Sequence, residues 1–310
     1  MNWKRFSEEN PWIVLQRGIK IFLIKADKVV TDSRMALARL RYGNGFILRE
    51  IQGSKMFLDM GDTGLSSELF LKGIRESKAT EEFQKRLRKG MVIAEIGANI
   101  GYYALMEALR IGKEGKVYAI EPVAENIELL KKNIEANGYE NIEVFNKAIG
   151  DKNEKKDLLL SRQSNLSSFC EHIDLDKTGE KREVELQTLD SFLQGKRKPD
   201  FVRMDVEGYE FEIMQGMKKT LKEAGHLQLF IEVHADFLGR DKTKLFYEML
   251  KQSGVRKCIV VWESMHILKP LGKVLSKEIL PEQGRFEKTI DEMIAEEKFH
   301  HGLYHLFAET

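Results

Sequence analysis

An open, mostly parallel α/β sheet with helices on both faces is predicted for this chain by three observations. From Met91 onward, short apolar runs alternate with stretches of helical spacing, the rhythm of parallel strands joined by crossover helices. The run Val92-Ile93-Ala94-Glu95-Ile96 leads straight into Gly97-Ala98-Asn99-Ile100-Gly101, which reads as strand, tight turn and helix. The apolar run Val117-Tyr118-Ala119-Ile120 ends in an acid, Glu121, and the run Phe201-Val202-Arg203-Met204 ends in Asp205, with Glu207 just after it. In such sheets ligands bind beyond the carboxyl ends of the strands.

The elements follow in order. Pro11 to about Val30 has apolar residues at Trp12, Leu15, Ile19, Phe22, Leu23 and Ala26, a helical spacing. Phe46-Ile47-Leu48 and Met56-Phe57-Leu58 read as strands, punctuated by turns at Gly43-Asn44-Gly45 and Gly61-Asp62-Thr63-Gly64. Helices are predicted over Ser66 to Ile74 and Thr80 to Leu87, with Gly90 as the C-cap of the second. Strands are predicted at 91–96, 116–121, 142–146, 200–205, 227–233 and 257–263, and helices at 101–111, 123–137, 208–223 and 241–253. The polar interval 151–199 breaks the rhythm and reads as an insert that shapes a substrate pocket, with a strand-like Glu183 to Leu186. Near the end, Phe286 to Glu297 reads as a helix and Gly302 to Phe307 as a last strand. Residues 1–88 read as an N-terminal cap and 89–310 as the main domain, with an extension after about 254.

Composition narrows the function classes. The net charge of +1 does not suit a protein that lives on nucleic acid. The 32% of charged residues suggests a surface laced with ion pairs and a warm environment. Cys170 and Cys258 fit no metal-ligand spacing, and no leader is visible in Met1 to Asn10, so we expect a cytoplasmic protein with free thiols. Residues 1–60 hold 11 Lys/Arg against 6 Asp/Glu. The first helix therefore has two readings: one that covers its own domain, which we prefer, and one that rests on an anionic membrane surface or a lipid-linked substrate.

The glycine turn and Glu121 predict a nucleotide-cofactor pocket, with the Glu121 carboxylate accepting both hydroxyls of a ribose. The spacing G-x-x-x-G puts Asn99 where a dinucleotide fingerprint wants glycine, which weighs against NAD and favours S-adenosylmethionine, a cofactor without phosphates. Asn146 to Asp151, with Ala148 at its centre, offers small and aliphatic flanks for an adenine. Asp205 and Glu207 face the same crevice, and Glu232 and His234 alternate onto one face of the next strand. These four could hold a divalent metal, but their spacing matches no metal motif, and we expect none.

Taken together, Gly61-Asp62-Thr63-Gly64 with Gly73-Ile74-Arg75-Glu76, Glu95 through Tyr103, Ala119-Ile120-Glu121-Pro122, Thr188-Leu189-Asp190-Ser191-Phe192 and Met204 through Glu210 resemble the FkbM family of S-adenosylmethionine-dependent methyltransferases, from about Gly61 to about Gly254. The resemblance implies a class I methyltransferase fold with a mostly parallel seven-stranded sheet. It also implies methyl transfer to a hydroxyl, commonly of a sugar or polyketide-like product. It places Glu95, Gly97, Asn99 and Gly101 on the methionine side of the cofactor, Glu121 on the ribose, Ala148 at the adenine and Asp205 near the methyl group, and Ala98 is expected among the cofactor-binding residues. An alcohol must lose its proton to attack, so we expect Glu207 or His234 as base, with Asp205 orienting cofactor or acceptor. Glycan, glycolipid and small metabolite all stay open as acceptors, and the sequence leaves the oligomeric state open. The rivals are an RNA methyltransferase, a binding module without chemistry and, last, a NAD protein. No Asn/Asp-Pro-Pro-aromatic run and no cysteine stands at the fourth strand tip, which argues against base methylation.

Overall fold

The computed structural model describes residues 11–161, 163, 166–170, 177–263 and 284–310. Met1 to Asn10, and the part of the insert at 171–176, lie outside the described residues.

The chain opens with helix α1 (Pro11–Tyr42), a hairpin of β1 (Phe46–Ile51) and β2 (Ser54–Asp59), and helices α2 (Leu65–Lys72) and α3 (Ser77–Gln84). The alternating part follows: β3 (Val92–Ile96), α4 (Tyr102–Ile111), β4 (Lys116–Glu121), α5 (Ala124–Asn137) and β5 (Ile142–Asn146). Next come β6 (Ala148–Ile149), β7 (Glu154–Ser161), β8 (Lys177–Gln187) and the short α6 (Leu189–Phe192). The chain then returns through β9 (Phe201–Met204), α7 (Glu210–Gly216), α8 (Lys218–Glu223), β10 (Gln228–His234), α9 (Ala235–Leu238), α10 (Arg240–Gln252) and β11 (Lys257–Trp262). It closes with β12 (Gly284–Thr289), α11 (Ile290–Ala295) and β13 (Leu303–Glu309).

The main sheet runs β12-β11-β13-β10-β9-β3-β4-β5. Strand β3 pairs in parallel with β4 and β9, β4 with β5, and β9 with β10, while β13 inserts antiparallel between β10 and β11. Seven of these strands have the class I methyltransferase order, and β12 adds an eighth, antiparallel edge. The central strands are mostly apolar because helices cover both faces: every residue of β3 and of β9 is buried, including one charged residue in each, Glu95 and Arg203. The insert forms its own three-stranded sheet, β6-β8-β7, with β8 far longer than the predicted 183–186.

Four expectations need correction. Helix α1 runs on to Tyr42, well past Val30. Among its described side chains Met35 and Ala38 are buried, against Met60. Gly90 does not cap α3, which ends at Gln84 with Lys85 as its C-cap; the Gly90 N–H donates instead to the Ile111 carbonyl at 2.8 Å. Residues 286–297 are not one helix but the edge strand β12 followed by α11, which starts at a capping box made by Thr289 and Glu292. The predicted helix 208–223 is two, α7 and α8, broken at Met217.

The N-terminal elements share a core with the sheet. Met56, Leu58, Leu65, Leu69 and Phe83 are buried in one cluster with Ile93, Leu105 and Phe230. The same packing sets the segment between α2 and α3 against the strand tips. That segment carries Arg75 and Glu76.

Candidate active site

The site grows from the tips of β3, β4, β9 and β10. Gly97 leaves β3 with φ +84°, and a Cβ there would lie 2.1 Å from the Asp205 carbonyl oxygen. The close approach that demands glycine here is between two strand tips. Gly101 caps α4 at φ +99°, and its missing Cβ makes room for Leu130 of α5. Gly97→Ala is expected to cost about 1–2 kcal/mol for the left-handed backbone alone, and to push Asp205 out of place. Chemical denaturation together with calorimetry against S-adenosylmethionine checks it. Unchanged stability and unchanged donor affinity would remove the contact from the account.

The turn satisfies its own amides. The N–H groups of Gly97 and Ala98 both donate to the Ile120 carbonyl (2.9 and 3.0 Å), and that of Gly101 to Ala98 (2.9 Å). Asn99, at φ +49°, gives its N–H to Glu121 (2.9 Å), and its side-chain oxygen accepts from Ile100 (2.7 Å). A pyrophosphate needs donors of this kind directed outward. Here they point inward, beside a carboxylate, and the pocket suits a donor without phosphates. Glu121 also accepts from Val123 N–H (3.0 Å) and Asn126 Nδ2 (3.2 Å). Three of its roughly four acceptor positions are thereby engaged. Burial raises the Glu121 carboxyl to about 6, against the pull of these three donors.

A cleft connects these groups to the other strand tips. Glu95, Gly97, Ala98, Asn99, Glu121, Ala148, Asp205 and Glu207 all line it; Gly101 stays beneath the turn. Leu158 and Phe169 of the insert, together with Tyr209, form an apolar wall on the Ala148 side. The donor set therefore fits a molecule with a flat apolar ring at one end, a hydroxylated middle at Glu121 and a positive charge facing the acids.

Below that acid end lies a charged group the sequence did not reveal. Arg203, in mid-strand on β9, is 2% exposed. It stands in register with Glu95 and donates to its Oε1 at 2.6 Å and to Asp205 Oδ2 at 3.2 Å, while its guanidinium lies 3.6 Å from the Tyr103 ring centre. Arg75 pairs with Glu76 and lies 3.7 Å from both Asp205 and Glu232. Burial opposes the charge of Asp205, yet Arg75 and Arg203 outweigh it and hold the group below the ordinary aspartate value. Glu95 goes the other way: burial raises it to about 7 in spite of Arg203. Glu232 is raised well above its usual value by burial, Asp205 and Glu76.

His234 ends β10 between two acids, with Nε2 3.1 Å from Glu207 and Nδ1 2.8 Å from Glu210. Phe237 stacks on its ring, 5.4 Å between centres. Burial works against a charged imidazole, but Glu210 and Glu207 prevail and raise its pKa well above the histidine norm. The two acids thus favour the imidazolium form, in which both ring nitrogens donate. Glu207 sits in the left-handed region at φ +53°, where non-glycine residues cluster at functional sites. Burial raises its carboxyl and His234 pulls it back down. Ligand atoms of Asp205, Glu207 and His234 lie within 4.8 Å of one another, near enough for a metal ion, which would have to displace the proton that Glu207 and Glu210 favour on the imidazole.

A second hollow opens on the far side. Glu207, Glu232, His234, Asp236, Phe237 and Leu303 line it, along with Arg75. Glu232 and His234 do share a face and both look into it.

Known proteins place this site in context. Curated relatives include protein-L-isoaspartate O-methyltransferases from Methanococcoides burtonii (41% identical over 59 residues, 19% of this chain and 29% of that one) and Archaeoglobus fulgidus (42% over 65 residues, 21% and 29%). This chain thus spans under a third of the length of those relatives. Solved structures similar to it include a methyltransferase FkbM from Methylobacillus flagellatus (TM-score 0.35, 18% identity, 47% of this chain and 34% of that one) and an S-adenosylmethionine-dependent O-methyltransferase from Thermotoga maritima (0.43, 17%, 79% and 70%). At that level of similarity the fold rests on the strand order. The family does not: the methyltransferase FkbM domain matches residues 95–258, just over half of the sequence, and the chain belongs to the FkbM methyltransferase family.

Proposed function

We propose that the chain is an S-adenosylmethionine-dependent O-methyltransferase that acts on a hydroxyl of a sugar, glycan or small metabolite. The observation that carries this reading is that Glu207 and Arg75 line both the donor cleft and the second hollow. A base at Glu207 touches whatever fills either side.

Bound S-adenosylmethionine supplies a methyl group on a positively charged sulfur, already a strong electrophile. The protein has to hold an acceptor oxygen in line and take its proton. Glu121 and the Asn99 turn would hold the ribose, Ala148 with Leu158 and Phe169 the adenine, and Glu95 and Asp205 the cationic end. Gly97, Ala98 and Gly101 shape the turn. Of the two expected bases we keep Glu207. His234 is held between two acids that favour its protonated form, so its part is to position Glu207 and lower its pKa, with Glu210 fixing the imidazole from behind. Asp205, kept charged by two arginines, orients donor or acceptor. No metal enters this scheme. Residues 1–88 as cap and 89–310 as catalytic domain belong to the same proposal.

The lining of the second hollow bears on the acceptor. Glu207 and Asp236 stand there beside Arg75 and His234, so the hollow offers both acceptors and donors, and a neutral polyhydroxyl group engages both kinds. That supports a sugar as acceptor. Radiolabelled methyl transfer to glycan, lipid and RNA fractions, run side by side, tests it. Label in the glycan or small-molecule fraction is expected; label confined to RNA would overturn it.

Donor affinity should also depend on pH. A cation binds better to an ionised acid, so affinity rises as Glu121 and Glu95 lose their protons, near pH 6 and pH 7. One linked proton gives about tenfold per pH unit at most. Calorimetry from mildly acidic to mildly alkaline buffer checks it, and a flat profile would remove these acids from the donor site.

A further inference from the structure

Helix α1 carries a surface that neither the site nor the fold uses. Ile19, Phe22, Val29, Val30, Leu37 and Leu40 are all exposed, from 37% for Ile19 to 84% for Leu40. At 3.6 residues per turn they fall on one stripe about 100° wide. The packed face lies opposite: Met35 and Ala38 are buried against Met60, and Arg39 Nε donates to the Met60 carbonyl at 2.6 Å. The helix is therefore tied down near its C-terminal end with its apolar stripe turned outward.

We propose that this stripe lies in the interface of an anionic lipid bilayer. The charge beside it selects that partner. Lys25, Arg34 and Arg41 are exposed and flank the stripe, and Lys28 is exposed further round. Asp27 and Asp32 are the acids among the helix residues 19–42. A helix with an apolar face and basic flanks sinks to the level of the lipid headgroups, drawn by both apolar burial and anionic charge. A second copy of the chain would bring the same basic flanks face to face, at a cost in repulsion. Among the described residues no helix is long and apolar enough to cross a membrane, so the contact is one of lying on the surface. This inference does not depend on the reaction proposed above.

Vesicle flotation with the full-length protein tests it. Binding to phosphatidylglycerol-containing vesicles is expected to exceed that to pure phosphatidylcholine by about tenfold or more, and to weaken in high salt. Leu37→Glu/Leu40→Glu should lose that binding, and Arg34→Glu/Arg41→Glu should lose its dependence on anionic lipid. These side chains point into water, so the melting temperature and S-adenosylmethionine affinity should hold in both variants, which separates lost docking from lost folding. Wild-type protein that stays out of the phosphatidylglycerol layer overturns the proposal, as does undiminished flotation of the leucine variant. Sedimentation equilibrium covers the remaining occupant: a dimer that the leucine variant dissolves, with no flotation, assigns the stripe to a second copy and overturns the membrane reading.

Discussion

Glu207→Gln is expected to lower kcat by about 10²- to 10⁴-fold, the range of a general base, while S-adenosylmethionine still binds. The amide keeps the shape of the side chain but cannot take a proton. The wild-type rate should fall on the acid side as Glu207 gains its proton, at a pH above the ordinary glutamate value because burial raises it. His234→Gln gives the diagnostic comparison. Without the imidazolium the Glu207 carboxylate loses the charge that pulls its pKa down, so the acid limb should move to higher pH, with a smaller loss at the plateau. A base at His234 predicts something else: loss of that limb altogether. Turnover undiminished in Glu207→Gln would rule the carboxylate out as base.

Arg203→Met should be the most damaging single change to stability, costing about 3–5 kcal/mol, as removal of one partner from a buried ion pair does. The variant leaves Glu95 and Asp205 facing each other with only Arg75 near Asp205. Their carboxyl pKa values must rise. An acid whose folded pKa lies above its unfolded value gives stability that is complete below the unfolded pKa and is lost as pH climbs through the folded one. Glu95 already behaves so in the wild type, over the window from about 4.5 to about 7. The loss in Arg203→Met should therefore be smaller in mildly acidic buffer than in alkaline buffer. Denaturant melts across pH measure it. A cost that does not change with pH would mean that Arg203 serves packing against Tyr103 more than charge.

The sheet was legible because of how it is buried. Strands covered on both faces are apolar in most positions, and Val92–Ile96 and Phe201–Met204 declare themselves in that way despite one charge each. The edge strand β12 did not, because its alternating GRFEKT pattern is half solvent-facing and runs straight into a helix. The hairpin loop at Gln52 and Gly53 was also missed. Both residues have positive φ, the two-residue hairpin geometry, but glutamine is not the residue that usually signals it.

The cleft proposed for the donor is lined by residues that stood out by type alone: a glycine turn and an acid at the next strand tip. Its foundation did not. Arg203 inside an apolar run was itself a signal, since a charge in a central strand needs partners across the sheet. Which partners depends on register between strands about a hundred residues apart in sequence, and periodicity does not encode that. Arg75 and Glu76 stood in a motif whose segment read as a mere cap. Glu210 stood at the end of another motif, and its hold on His234 became visible only once α7 was set beside β10.

The interleaved position of β13 bears on how this protein can be cut. The stretch matched by the family, 95–258, begins inside β3 and stops as β11 starts. A fragment with those limits has no β13 and would leave the length of β10 as a raw edge, open to pairing with another chain. It would also lack Arg75, and Asp205 would be left with a single counter-ion. Statistical boundaries mark where relatives agree, whereas the smallest piece able to stand alone must reach from the segment before β3 through the final strand.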